Sequence, residues 1–307
     1  MMKKILLTAI LSLVVSFASN AQKTVFTERA VDAFTGLCIS DDFVVKLKAS
    51  DSCALNTNID ERLEPYVSAY VNDGVLYLAL DRKKFPSDLK KALRSSQMQN
   101  PVIEAEVSAP NLKTLEISDN ALVKGFGSIE TDSLFLTVAG KVGIENLEVV
   151  CRCADVKISR NADVNLGINV SSLLSLQTSG TSGTSLKFAG DSLRILSSGS
   201  SSVEAVVDAS RIAVSNSGMS NVRIVSGKVR GLDVVASGSA KLDAGGVVVP
   251  SAYMVQSGSS KSLVNVSDTL KVNLVGSSVL EFKNDPYIDV ERIVSSTLTR
   301  CSDTSSK

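Results

Sequence analysis

Apolar and polar residues alternate with a period of two through residues 111–285, and the alternation restarts about every twenty residues. Period two is a strand signal, because successive side chains on a strand point to opposite faces. Leu174-Ser-Leu-Gln-Thr-Ser-Gly is followed by Leu193-Arg-Ile-Leu-Ser-Ser-Gly, Ile212-Ala-Val-Ser-Asn-Ser-Gly and Leu232-Asp-Val-Val-Ala-Ser-Gly. Weaker copies begin at Ala252 and Leu270, and earlier ones at Leu134, Val156 and Leu115. A small or polar residue closes each unit, at 119, 140, 162, 180, 199, 218, 238, 258 and 276, with Ala162 in the third slot. Four residues before the slot stand Leu115, Leu136, Ile158, Leu176, Ile195, Val214, Val234, Met254 and Val272, all apolar. Four after it stand Val123, Ile144, Leu166, Thr184, Val203, Val222, Leu242, Ser262 and Leu280.

A twenty-residue unit cannot bury its own apolar face, so successive units must stack. The pattern predicts an all-β chain, a right-handed parallel β-helix of about nine coils with a mixed N-terminal cap. Nine layers at strand spacing give a rod of roughly 40 Å. Within residues 111–285 the one proline is Pro250, as continuous ladders require. Propellers, the runner-up with sandwiches, repeat at about forty residues, twice the period here.

The flanking segments read differently. Residues 1–21 carry Lys3 and Lys4, an apolar run over 5–18 and Ser19-Asn20-Ala21, the layout of a secretory signal peptide. Residues 22–110 form a β-rich capping region: a strand at 43–48, a hairpin turning at Asn72-Asp73-Gly74, a short helix near 60–65, a helix from Ser87 and a strand at 102–109. Residues 286–307 supply the other cap and a tail. After the leader no apolar stretch is long enough to span a membrane as a helix. The chain is therefore expected in the periplasm, on the outer cell surface or secreted.

The strand Val44-Val-Lys-Leu, the hairpin Val71-Asn-Asp-Gly-Val-Leu and the recurring Ser-Gly-Ser corners resemble the autotransporter-adhesin head (GIN) domain family, from about Phe34 to Phe282. The resemblance implies a bacterial exported or surface β-helix. It brings no catalytic residues with it.

Composition narrows the chemistry. Histidine is absent, which excludes a Ser-His-Asp triad, a His-ligated metal and a His general base. Lys+Arg and Asp+Glu are both 32, so no charge excess points to nucleic acid. Ser87-Asp-Leu-Lys90 and Ser118-Asp119-Asn120 match two motifs of penicillin-recognising enzymes, but the third, Lys-Thr-Gly, is missing. Stacking could align Asp233 with Asp208, or Asp191 with Asp163, as the carboxylate pair of a glycoside hydrolase or polysaccharide lyase. Asp41, Asp42 and Glu61 could also meet at the first coils. Solvated acids interspersed with Lys and Arg account for these more simply. No catalytic, cofactor or metal residues are therefore assigned, and no cofactor is expected.

Five cysteines remain, at 38, 53, 151, 153 and 301. An exported chain permits disulfides, and Cys38–Cys53 is the candidate pair. Cys151 and Cys153 share one side of a strand with Leu147 and Val149, which reads as core. Residues 170–279 hold 27 serines, and Ser198, Ser217, Ser237 and Ser257 should stack as a corner ladder. The reading is a non-enzymatic adhesin or interaction scaffold whose partner is a surface glycan or protein. The alternatives are a carbohydrate-active β-helix enzyme and a periplasmic scaffold.

Overall fold

Alternating β-branched and aliphatic residues favour a pleated, half-buried backbone, and the chain folds accordingly. The computed structural model describes residues 23–95 and 100–301 and is a parallel β-solenoid of about nine turns. The expected leader, residues 1–21, and the tail, 302–307, lie outside the described residues.

In chain order the strands are β1 (Thr24–Arg29), β2 (Gly36–Ile39), β3 (Val44–Ala49), β4 (Ala54–Asp60), β5 (Val67–Asn72) and β6 (Val75–Leu80). Helix α1 (Ser87–Arg94) precedes β7 (Ile103–Ala109), β8 (Thr114–Asp119), β9 (Leu122–Phe126), β10 (Ser128–Glu130) and β11 (Ser133–Gly140). Long strands follow: β12 (Gly143–Arg160), β13 (Asp163–Thr178), β14 (Gly183–Ser197), β15 (Ser202–Asn216), β16 (Asn221–Ala236), β17 (Lys241–Gln256) and β18 (Lys261–Val275). The last are β19 (Val279–Lys283), β20 (Tyr287–Val294) and β21 (Thr297–Arg300).

Each long strand supplies both walls of one turn. In β15 the buried residues are Val203, Ala205, Val207 and Ala209, then Ile212, Val214 and Asn216. The phase flips at Ser210 and Arg211, where the chain bends from one wall into the other. Leu176, Ile195, Val214 and Val234 stack in adjacent layers, as the repeat predicts, and none exceeds 2% exposure.

One repeat unit is corrected, in both columns. Val156, not Ile158, pairs with Leu136 and Leu176, and Val164, not Leu166, pairs with Thr184. The corner slot of that turn is therefore Arg160, not Ala162. Positive φ defines the slot. Asp41, Asp119, Arg160 and Ser295 adopt it alongside Gly140, Gly180, Gly199, Gly218, Gly238, Gly258 and Gly276. Smallness is a poor guide to it, since Ala162 is simply buried.

The stack extends to both sides of residues 111–285. β2 pairs in parallel with both β6 and β8, and β3 with both β7 and β9. In space the layers run β6/β7, β2/β3, β8/β9, so the chain lays down the second layer before the first. Antiparallel strands then close this end: β5 against β6, β4 against β7 and β1 against β4. The expected hairpin turns at Asp73 (φ 50°) and Gly74 (φ 73°), a two-residue turn of primed type. The short helix near residue 60 is a single 3-10 turn, Glu64–Tyr66. At the other end β20 and β21 add one more parallel layer, on β18 and β19.

Candidate functional site

Ser198, Ser217, Ser237 and Ser257 lie at the corners, each directly before a glycine of positive φ. Each donates its backbone N–H to the preceding layer, at 2.9–3.0 Å, and stays half-buried. The buried polar ladder lies elsewhere, two residues before and two after the corner glycine. Thr178, Ser197 and Ser201 form a closed hydroxyl triangle, with Oγ–Oγ distances of 3.1, 3.1 and 2.9 Å. Ser220 donates to Ser197 O at 3.2 Å, and Asn216 Nδ2 donates to Lys241 O at 2.6 Å. The pairing satisfies most of a polar column inside the core. Thr184 Oγ1, Gln256 Oε1 and Ser260 Oγ are buried without partners. The signal was legible, as Ser recurs at 182, 201, 220, 260 and 278.

The carboxylate pairs do not assemble. Asp208 lies in the wall formed before the bend, where it accepts the Lys228 N–H at 2.9 Å. Asp233 lies in the opposite wall, ion-paired with Arg211. Asp163 stands in register with Gly183, and Asp191 falls at the bend beyond it. Ser87 and Lys90 are on α1, far in sequence from the corner that carries Ser118-Asp119-Asn120. That corner serves packing: Asp119 Oδ2 accepts the Asp41 N–H at 3.3 Å, and Asn120 Nδ2 donates to Asp42 Oδ1 at 2.8 Å.

The same acids brace the N-terminal end. Asp41 Oδ2 accepts the Leu80 N–H at 2.8 Å, and Arg82 pairs with both Asp41 and Asp42. Burial works against the Arg82 charge, and the two carboxylates outweigh it, so its pKa rises. Beside them a cleft of about 620 Å³ has an apolar floor of Leu63, Leu80, Phe85, Leu93 and Ile103. Among the described residues that line it the one acid is Asp42, engaged by Arg82 and Asn120, while Glu61 is exposed and does not line it. A single ion-paired carboxylate does not make an acid–base pair. Among the described residues no group of three Cys, Asp or Glu side chains could hold a metal ion.

All five cysteines are free thiols. Cys38 and Cys53, the candidate pair, stand unbridged on opposite sides of the sheet in this structure. Cys38 points outward between Tyr77 and Glu116, whereas Cys53 packs on the core and accepts the Phe34 N–H at 3.4 Å. Cys151 joins Leu147 and Val149 in the core as expected, and burial pushes its thiol up to about 11. Cys153 falls after a register shift and lies half-buried, 3.3 Å from Ser133 Oγ.

A second candidate lies on the outer wall. Asp155, Ser175, Arg194, Ala213, Asp233, Tyr253, Lys271 and Asp289 occupy one outward column, in register layer by layer. Near its C-terminal end a shallow groove of about 380 Å³ is lined by Arg211, Arg230, Asp233, Tyr253 and Lys271. Tyr253 donates its hydroxyl to Glu291 at 3.0 Å, Lys271 pairs with Glu291 at 2.7 Å, and Lys271 Nζ lies 5.6 Å from the Tyr253 ring centroid. That hydrogen bond is the main reason the Tyr253 pKa is raised. The groove combines an aromatic face, fixed cations and acceptors, the contact set of a recognition surface.

A family model described as "Putative auto-transporter adhesin, head GIN domain" matches residues 33–182 and 155–286. A comparison with curated proteins finds no match. A putative adhesin from Parabacteroides merdae ATCC 43184 is similar in structure, with a TM-score of 0.51 and 18% identity over 91% of this chain and 97% of that one. A putative adhesin and a putative lipid binding protein from Parabacteroides distasonis ATCC 8503 give TM-scores of 0.49 and 0.45, each at 18% identity and the same coverages. At such identities the likeness concerns the fold.

Proposed function

Since the chain belongs to the auto-transporter adhesin head GIN domain family, we propose that it is an exported, non-enzymatic adhesive scaffold whose outer wall binds a surface glycan or protein. The leader at residues 1–21 would carry it across the inner membrane. Its working place would be the periplasm, the outer surface or the medium. Among the described residues no helix is long and apolar enough to cross a membrane.

The observation that carries the reading is the Tyr253 groove. Its residues sit on rigid strands in fixed register, so their geometry needs no ordering on binding. The wall around it is a ladder of parallel strands in register, which suits contact over several layers rather than enclosure of a small substrate. A carbohydrate-active enzyme would instead require two carboxyls held across a cleft with their pKa values driven apart.

The test is a screen of residues 22–307 against immobilised glycans and matrix proteins, repeated with Tyr253→Ala and Lys271→Ala. Binding that both substitutions abolish, with the fold intact by circular dichroism, is the expected result. Binding indifferent to both would place the site elsewhere. Reproducible polysaccharide cleavage, lost on removing one carboxylate, would establish the enzyme instead.

A further inference from the structure

The two ends of the solenoid differ. The N-terminal end is closed by antiparallel strands, but among the described residues nothing lies on the outer edge of β20 and β21. Ile288, Val290 and Ile293 continue the columns of Leu270, Val272 and Leu274, each fully buried one layer below. In the last layer Val290 is 51% and Ile293 38% exposed, with Tyr287 at 72% and Val294 at 45%. The end therefore presents an open slice of core beside a row of unpaired backbone N–H and C=O groups, a template for another strand.

The sequence of β20 says which strand fits. Pairing it antiparallel with a copy of itself, about a two-fold axis between Val290 and Glu291, sets Ile288 opposite Ile293, Asp289 opposite Arg292 and Tyr287 opposite Val294. The faces agree: Ile288 and Ile293 both point inward, over Leu270 and Leu274, while Asp289 and Arg292 both point outward, over Lys271 and Asn273. Away from the axis each apolar residue meets an apolar one and each charge meets its opposite, twice, as an isologous contact demands; at the axis itself Val290 faces Glu291, the residue that the register shift in β20 leaves without a partner in β18. Arg292 makes no ion pair among the described residues, and Asp289 reaches Lys271 only at 4.0 Å, since Lys271 is taken by Glu291. Antiparallel pairing is also how the N-terminal end of this solenoid terminates.

We propose that the C-terminal layer is a self-association surface, joining two copies of this chain tail to tail through β20. This goes beyond the adhesive reading and does not depend on the partner bound at the outer wall. The dimer continues the ladder across the axis and covers the exposed column residues of both copies.

Sedimentation of residues 22–307 over a concentration series tests it. A reversible dimer is expected. Asp289→Arg and Arg292→Asp each oppose like charges across the axis and should return the protein to monomer, with unchanged circular dichroism and melting. The double variant Asp289→Arg/Arg292→Asp restores opposite charges and should restore the dimer. A monomer at every concentration would overturn the proposal, as would a dimer unaffected by the single swaps or not recovered in the double. Because the readout is mass, its failure leaves the binding test at Tyr253 untouched.

Discussion

Replacing Gly218 by alanine, with Gly74→Ala as its partner, separates two demands on a corner residue. Both glycines hold almost the same left-handed backbone, φ 71° and 73°. Around Gly74 an added Cβ would meet nothing within 4 Å, whereas at Gly218 it would fall 2.8 Å from Gly199 O and 3.2 Å from Gly199 N. The backbone penalty for alanine in this region is about 1–2 kcal/mol, reduced by roughly 0.4–1 because alanine also restricts the unfolded chain. Gly74→Ala should therefore cost about 1 kcal/mol. Gly218→Ala carries the same penalty plus a contact with backbone that cannot rotate away, since Met219 N–H also bonds Gly199 O at 2.8 Å. Relieving it by bending bond angles by about 7° costs about 1 kcal/mol per angle, and at least two must give. The gap between the variants should be about 2 kcal/mol or more, near 3 °C in melting temperature for a chain of this size. Chemical denaturation of both variants measures it. Equal costs would refute the claim that stacked corners, rather than φ alone, require glycine.

Three further outcomes follow from the same structure. Ile195→Asp should cost more than about 4 kcal/mol, because an unpaired charge would enter a column with no exposure; urea denaturation reads it. Ser260→Ala should stabilise by about 1 kcal/mol, since it removes a buried hydroxyl without a partner at a position that Ala240 fills one layer earlier; a lowered midpoint would count against it. Glu291→Gln should bring the Tyr253 phenol back toward its ordinary pKa of 10, because the carboxylate accepts a hydrogen bond from the phenol and repels the phenolate; ultraviolet titration follows the shift.

The solenoid was legible because its signal repeats. Two apolar columns recur across nine units, and each copy confirms the others. The one misplaced unit shows the limit: Ala162 looks like a corner residue, but Arg160 is the residue with φ 69°. Conformation, not size, defines the slot, and a single sequence displays size. The N-terminal layers were harder, because β6 and β7 form one layer yet are separated by α1 and its loops. A trace existed nonetheless. Leu37-Cys-Ile-Ser-Asp41 repeats Leu115-Glu-Ile-Ser-Asp119 at the same corner, seventy-eight residues apart and outside the twenty-residue period. The outer groove left no sequence mark, because Arg211, Tyr253, Lys271 and Glu291 are brought together only by the register of four layers. Any of them alone reads as an ordinary surface residue.

That register also links the two surfaces at this end. Tyr253 lies in β17, two layers below β20, and layers are about 4.8 Å apart. A tail-to-tail pair would set the two Tyr253 grooves roughly 24 Å apart on the same continuous wall, because a two-fold axis normal to that wall leaves both facing the same way. A partner with repeating epitopes, such as a glycan chain, could then engage both grooves at once. The second contact becomes intramolecular, and avidity can exceed the single-site affinity by about 10²–10⁴ without any new contact. Shallow grooves that bind weakly alone would then suffice for adhesion. The link has a direct consequence: Arg292→Asp, at a residue that does not line the groove, should weaken binding to an immobilised multivalent glycan far more than to its monovalent fragment. Equal loss on both would mean the substitution acts on the groove itself, and the coupling between the two surfaces would fall.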